Sequence, residues 1–193
     1  MQGGTVTFPE ELVKGEDIEC MLMSGRRVFL RAYHTYFNAC LQRPTIGLDR
    51  AYSAKPFVIV EKQVMFPEIA LLDLFRKNGW QGAWADSLHR KYFDKMPNQS
   101  KGISLSTYAN KVIARIAENN DKSKNGCWDI ILWTERAVVF VAVVDAFSRK
   151  DISDAHTRWL AAALRSGLSA TQFVVIAWGY RKVVAKRKRR GLS

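Results

Sequence analysis

Asp129 is the side chain with the most to explain. It stands between Trp128 and the apolar run Ile130-Ile131-Leu132-Trp133, where an ionised carboxylate is costly to bury without a partner. A metal ion or a nearby donor would meet that need, as would a place at a strand edge or turn. Glu68 follows Phe66-Pro67 at the head of a periodic apolar run. Two readings are open for it: a charge favourably placed at a helix start, worth about 0.3–1 kcal/mol, or a ligand. A second chemistry is phosphate contact. Arg90 and Lys91 stand among Trp80, Trp84, Tyr92 and Phe93. Aromatics interleaved with cations suit base stacking and phosphate binding, while the same aromatics also suit a core. Lys186-Arg187-Lys188-Arg189-Arg190 reads as a disordered, sequence-independent phosphate-binding arm, with a nuclear address as the other reading. His34, His89 and His156 are dispersed and lack metal-ligand spacing.

The elements that must position these groups follow from periodicity and punctuation. Residues 1–20 are acidic and polar, a flexible arm or a short helix. Residues 26–42 place Phe29, Ala32, Tyr33, Tyr36, Phe37 and Cys40 at steps of three and four, which predicts a helix. Phe57–Val60 is a short strand. A second helix starts at Pro67, carries Glu68 in its first turn and closes at Asn78-Gly79. Residues 86–93 read as strand or loop, residues 105–119 as a helix, and Asp121–Gly126 as a polar loop. A hairpin follows: Asp129 leads one strand, Thr134-Glu135-Arg136 forms the turn, and Val138–Val144 is apolar enough for a buried strand ending at Asp145. Ser153 caps a helix that runs to Ser166, Gly167 ends it, and Phe173–Trp178 is a closing buried strand. The order α, α, β, β, α, β predicts an α/β layout with a mixed sheet.

A chain of 193 residues suits one domain, and 48% hydrophobic with 25% charged residues is enough to fill a core. The net charge of +12 is the unusual quantity. Seven cations fall between Arg181 and Arg190, so the body keeps about +5, and both parts favour a polyanionic partner. Cys20, Cys40 and Cys127 are odd in number and widely spaced, which implies neither a disulfide framework nor a zinc site and fits a reducing, cytoplasmic compartment. No secretion signal is read at the N-terminus, and no apolar run reaches the ~18 residues of a membrane span.

From about Val64 to Trp178, a little over half the chain, the sequence resembles the VRR-NUC branch of the PD-(D/E)XK nucleases. Phe66-Pro67-Glu68-Ile-Ala-Leu-Leu resembles the family's first helix, which supplies an acidic residue. Trp128-Asp129-Ile-Ile-Leu-Trp133 resembles the strand carrying the metal-binding Asp. Lys150–Leu160 resembles the helix after the catalytic strand, and Phe173–Trp178 the closing strand. The resemblance implies a restriction-endonuclease-like core, a mixed central sheet flanked by helices, over residues 61–180. Residues 1–60 would be a partly helical extension and residues 181–193 a basic, disordered tail.

It also implies Mg²⁺ or Mn²⁺ held by Glu68 and Asp129, since carboxylates supply the oxygens a hard cation takes. The metal would polarise a phosphodiester and acidify a water, and a Lys would offset the developing charge. This sequence departs at those positions. In one strand frame Ala142 and Val144 replace the Glu and Lys of Glu-x-Lys; in the other, Val143 and Asp145 do. His156 replaces a usual Gln. Glu68 and Asp129 remain, with Asp145 as a displaced third carboxylate and Arg149 and Lys150 on the following turn.

The expectation is a nucleic-acid-binding protein, for DNA rather than RNA, with hydrolysis weak or lost. Its binding residues would be Arg90, Lys91, Arg149, Lys150, Arg158 and Lys186–Arg190. One alternative is a metal-dependent phosphodiesterase with Glu68, Asp129 and Asp145 as catalytic residues. Another is an inactive interaction module of a defence or mobile-element system. Residues 1–60 would cover the site, form a homodimer or meet a protein partner.

Overall fold

The computed structural model describes residues 7–42, 44, 47–146 and 152–181. Ten strands make one mixed sheet: β1 (Val13–Lys14), β2 (Ile18–Met21), β3 (Arg27–Ala39), β4 (Val58–Val60), β5 (Gln63–Met65), β6 (Gln81–Asp86), β7 (Lys91–Phe93), β8 (Ile130–Trp133), β9 (Val138–Asp145) and β10 (Phe173–Tyr180). Their main order is β5-β4-β3-β10-β9-β8-β6-β7, with β1 and β2 pairing the outer side of β3. The pairs β6–β8 and β8–β9 are antiparallel, whereas β10 runs parallel to both β9 and β3.

Three helices flank the sheet: α1 (Pro67–Lys77), α2 (Thr107–Glu118) and α3 (Asp154–Arg165). Strand alternation sorts the two faces. Val139, Val141, Val174 and Ile176 pack with the buried side of α1, while Phe140, Ala142, Phe173 and Val175 pack with α2 and α3. The sheet is therefore the middle of three layers. Among the described residues no helix is long and apolar enough to cross a membrane.

The helix starts and stops follow their local chemistry. Pro67 stands in the first turn of α1, where its missing N–H costs nothing, and Asn78 and the left-handed Gly79 end that helix. Ser106 and Ser153 accept from the N–H groups of Ala109 and His156 to cap α2 and α3.

The helix expected over residues 26–42 is wrong: those residues form β3, the longest strand. The reason lies in how β3 is buried. Its first half turns Val28, Leu30 and Ala32 towards α2 and α3, and its second half turns Tyr33 and Phe37 to the α1 side. A strand that exchanges its buried face halfway breaks the two-residue period and imitates steps of three and four. Its β-branched and aromatic composition is the better guide. Residues 13–60 thus contribute β1 to β4 to the same sheet, and their helical content among the described residues is one 3-10 turn, Arg50–Tyr52.

Candidate functional site

Glu68 and Asp129 are near enough for the charge of one to act on the other. Glu68 lies in the first turn of α1, 13% exposed. Its Oε1 accepts from the Lys55 ammonium, and its Oε2 is buried without a hydrogen-bond partner. Lys55 reaches this point from the segment between the 3-10 turn and β4. Its Nζ lies 4.7 Å from the Trp84 ring centre and 5.3 Å from that of Phe66, a cation–π arrangement on two buried rings.

Asp129 precedes β8 by one residue and bridges its two neighbours. Its carbonyl accepts from Ala85 N at 2.8 Å, and its Oδ2 accepts from Val143 N at 2.8 Å. Because β8 starts at Ile130, paired with Val141, the Val143 N–H has no strand partner on that side; the carboxylate supplies one. Burial pushes the Asp129 carboxyl above the usual range. The His156 charge and the Val143 N–H oppose that rise, Glu68 adds to it, and Lys55 opposes it. Both carboxylates, Lys55 and His156 therefore share one electrostatic environment.

His156 is set by its neighbours on α3. Its carbonyl accepts from Trp128 Nε1 at 3.2 Å, and its ring lies 5.8 Å from that indole. Ala142 is fully buried towards α2 and α3, with Val144 on the same face. Val143 packs on the α1 side. Asp145, two residues on, is exposed and in register with Trp178; burial, with the Asp145 charge adding to it, raises the Tyr180 phenol.

Beside the carboxylates runs a basic groove of about 670 Å³ between the β6–β7 turn and the α2–β8 loop. It gathers Arg90, Lys91, Lys122 and Lys124, with Ser123 and Asn125 between. Cys127, two residues before Asp129, also lines it. Burial, with the Asp129 charge, pushes that thiol to about 12, so it stays protonated. Asp86, the groove's acidic residue, is fully engaged: Tyr52 O–H at 2.5 Å, His89 Nδ1 at 2.6 Å and Leu88 N at 3.1 Å. The α2–β8 loop is fixed against α3. At Gly126 (φ +81°) an added Cβ would fall 2.1 Å from the Ala155 carbonyl oxygen, so only glycine fits.

The sequence-predicted residues thus separate into groups. Glu68 and Asp129 come together, and Arg90 and Lys91 share the groove. Arg158 lies elsewhere, with Asp154 and Thr157 in a cleft between α3 and β2 that Val144 also lines. Arg149, Lys150 and Lys186–Arg190 fall outside the described residues. Trp80, Trp84 and Phe93 are buried and Tyr92 half-buried, so this aromatic group is core. Three residues were missed. Lys122 and Lys124 had a signal, two cations in a polar loop directly before Asp129. Lys55 had none, because only tertiary packing brings it to Glu68.

Among the described residues no group of three or more His, Cys, Asp or Glu is arranged to hold a metal ion. No protein-family model, curated protein or solved structure compared with the chain matches it.

Proposed function

We propose that this protein binds nucleic acid, with DNA favoured, on a restriction-endonuclease-like scaffold of the VRR-NUC kind whose hydrolytic chemistry has been given up. The observation that carries this reading is the basic groove. It gathers four cations, Arg90 and Lys91 at the start of β7 and Lys122 and Lys124 from the α2–β8 loop, and its lining includes Cys127, two residues before Asp129. The sequence α1, β6, β8, β9, α3, β10, an antiparallel set of three closed by a parallel fourth strand, supports the scaffold. The loss of hydrolysis rests on β9 in both frames: Ala142 and Val144 face α2 and α3, Val143 faces α1, and neither Ala142/Val144 nor Val143/Asp145 supplies the Glu and Lys that the resemblance asks for.

The groove's chemistry favours backbone over bases. Its cations, hydroxyl and amide groups suit phosphate oxygens, whereas Trp84 and Phe93 are committed to the core and half-buried Tyr92 is the one large aromatic in its lining. Sequence-independent, salt-sensitive binding follows.

One observation favours an active phosphodiesterase as the second reading: Glu68 and Asp129 lie close enough for one charge to act on the other. The two readings divide in one assay. Labelled duplex, single-stranded and flap DNA are incubated with the protein in Mn²⁺ and in chelator, beside Asp129→Asn. Binding without cleavage, equal in both buffers and both proteins, is expected. Mn²⁺-dependent cleavage that disappears in Asp129→Asn would overturn the proposal.

A further inference from the structure

The geometry points to Lys55 as the built-in counter-cation of Glu68: its ammonium holds the carboxylate oxygen that a divalent metal would need, so the folded site takes no such metal. The inference deepens the binding reading above and rests on the same carboxylates, but not on the groove.

The residues present do not fit a divalent cation as they stand. A hard cation of this kind seeks six or more oxygens, several of them from carboxylates. Glu68 Oε1 is already taken by the Lys55 ammonium, and Asp129 Oδ2 by the Val143 N–H. Ala142 and Val144 add no ligand. Among the described residues the buried Glu68 Oε2 has no hydrogen-bond donor, and no group of three His, Cys, Asp or Glu is arranged to hold a metal. A carboxylate as buried as Glu68 needs a positive charge beside it. Lys55 supplies it from within the chain.

The surroundings of Lys55 are those of a bound cation rather than a surface lysine. Nζ contacts the carboxylate, and the faces of Trp84 and Phe66 lie within cation–π distance. Trp84 and Phe66 are themselves buried, at 3% and 0% exposure, so the cage is rigid. The backbone holds the side chain in place: Lys55 N–H donates to Tyr52 O at 3.0 Å, and the 3-10 turn before it is capped by Asp49. A lysine is a compact point charge on a flexible stem, suited to filling such a cage.

The test uses Mn²⁺ alone, followed by paramagnetic resonance of the full chain without nucleic acid, so it reads the site whether or not the groove binds DNA. Wild type and Lys55→Arg are expected to bind no Mn²⁺ that depends on Glu68. Mn²⁺ bound by the wild type and lost in Glu68→Gln would overturn the inference. Amine acylation of the wild type, read by mass spectrometry, decides independently of any variant. Lys55 protected relative to exposed Lys62 and Lys111 supports a caged ammonium, and equal reactivity refutes it.

Discussion

The basic groove makes a quantitative demand on salt dependence. Its four cations come in two pairs: Arg90 and Lys91 from the β6–β7 turn, Lys122 and Lys124 from the α2–β8 loop. Each cation that neutralises a phosphate contributes about −0.9 to the slope of log K against log[salt], so the groove accounts for about −3.6 and the loop pair for about −1.8. Between about 50 and 200 mM salt, Lys122→Ala with Lys124→Ala should therefore lose about 12-fold less affinity than wild type. The tail beyond residue 181 contributes equally to both proteins and cancels in the comparison. Fluorescence anisotropy on a labelled duplex at a series of KCl concentrations measures both slopes. Lys111→Ala with Arg115→Ala, a change of equal charge on the exposed side of α2, controls for net charge. The loss should be uniform across unrelated duplex sequences, as expected of phosphate contacts. If the loop variant keeps the wild-type slope, or if the α2 control loses as much slope, the groove is not the phosphate track.

Two further outcomes follow from titratable groups. Asp129→Ala leaves the Val143 N–H without an acceptor and should cost about 1–3 kcal/mol in urea unfolding, whereas Asp129→Asn keeps an acceptor and removes a buried charge. Folding raises the Asp129 pKa, mainly through burial, so protonation favours the fold, and wild type should gain on Asp129→Asn as pH falls; a gain as pH rises would refute this. His89 lies between Asp86 and Asp49, at 2.6 Å and 3.4 Å, and its pKa is raised above 6.5, chiefly by the Asp86 hydrogen bond. The stability it adds is fully present below pH 6.5 and fades as pH rises through the raised value; urea midpoints should show that decline in wild type and a shallower one in His89→Gln.

What could be read from the sequence was what local chemistry determines. α1 and α3 were legible because Pro67, Ser153, Gly79 and Gly167 mark their ends. β8 and β9 were legible because an apolar run too short for a helix leaves a buried strand as its alternative. β3 was not, since its exchange of buried face depends on which layer lies over each half. The same division holds at the site. Glu68 and Asp129 each stand at an element boundary, where a charge draws notice. Lys55 stands in a loop with no periodicity, and its meeting with Glu68 and Trp84 exists only once β6 and α1 are packed together. The burial of Ala142 was likewise invisible, because β9 is apolar on both faces and only the layers packed over it show that Ala142 faces α2 and α3 while Val143 faces α1.

The place of β3 also sets an order on how the chain can assemble. It is made early, yet the neighbour that completes it is β10, which pairs Val174 with Arg31 and Tyr180 with Phe37. Until β10 is synthesised, one long side of β3 has no strand beside it, although β2, β1 and β4 can already pair on the other side. During that interval β3 offers an open edge of alternating apolar residues, the kind of template that recruits other chains. The joint between β3 and β10 also closes the largest loop in the protein, which places it among the slow steps of folding. The centre of the finished sheet thus closes on a strand made late in synthesis, and the edge of β3 stays open until then.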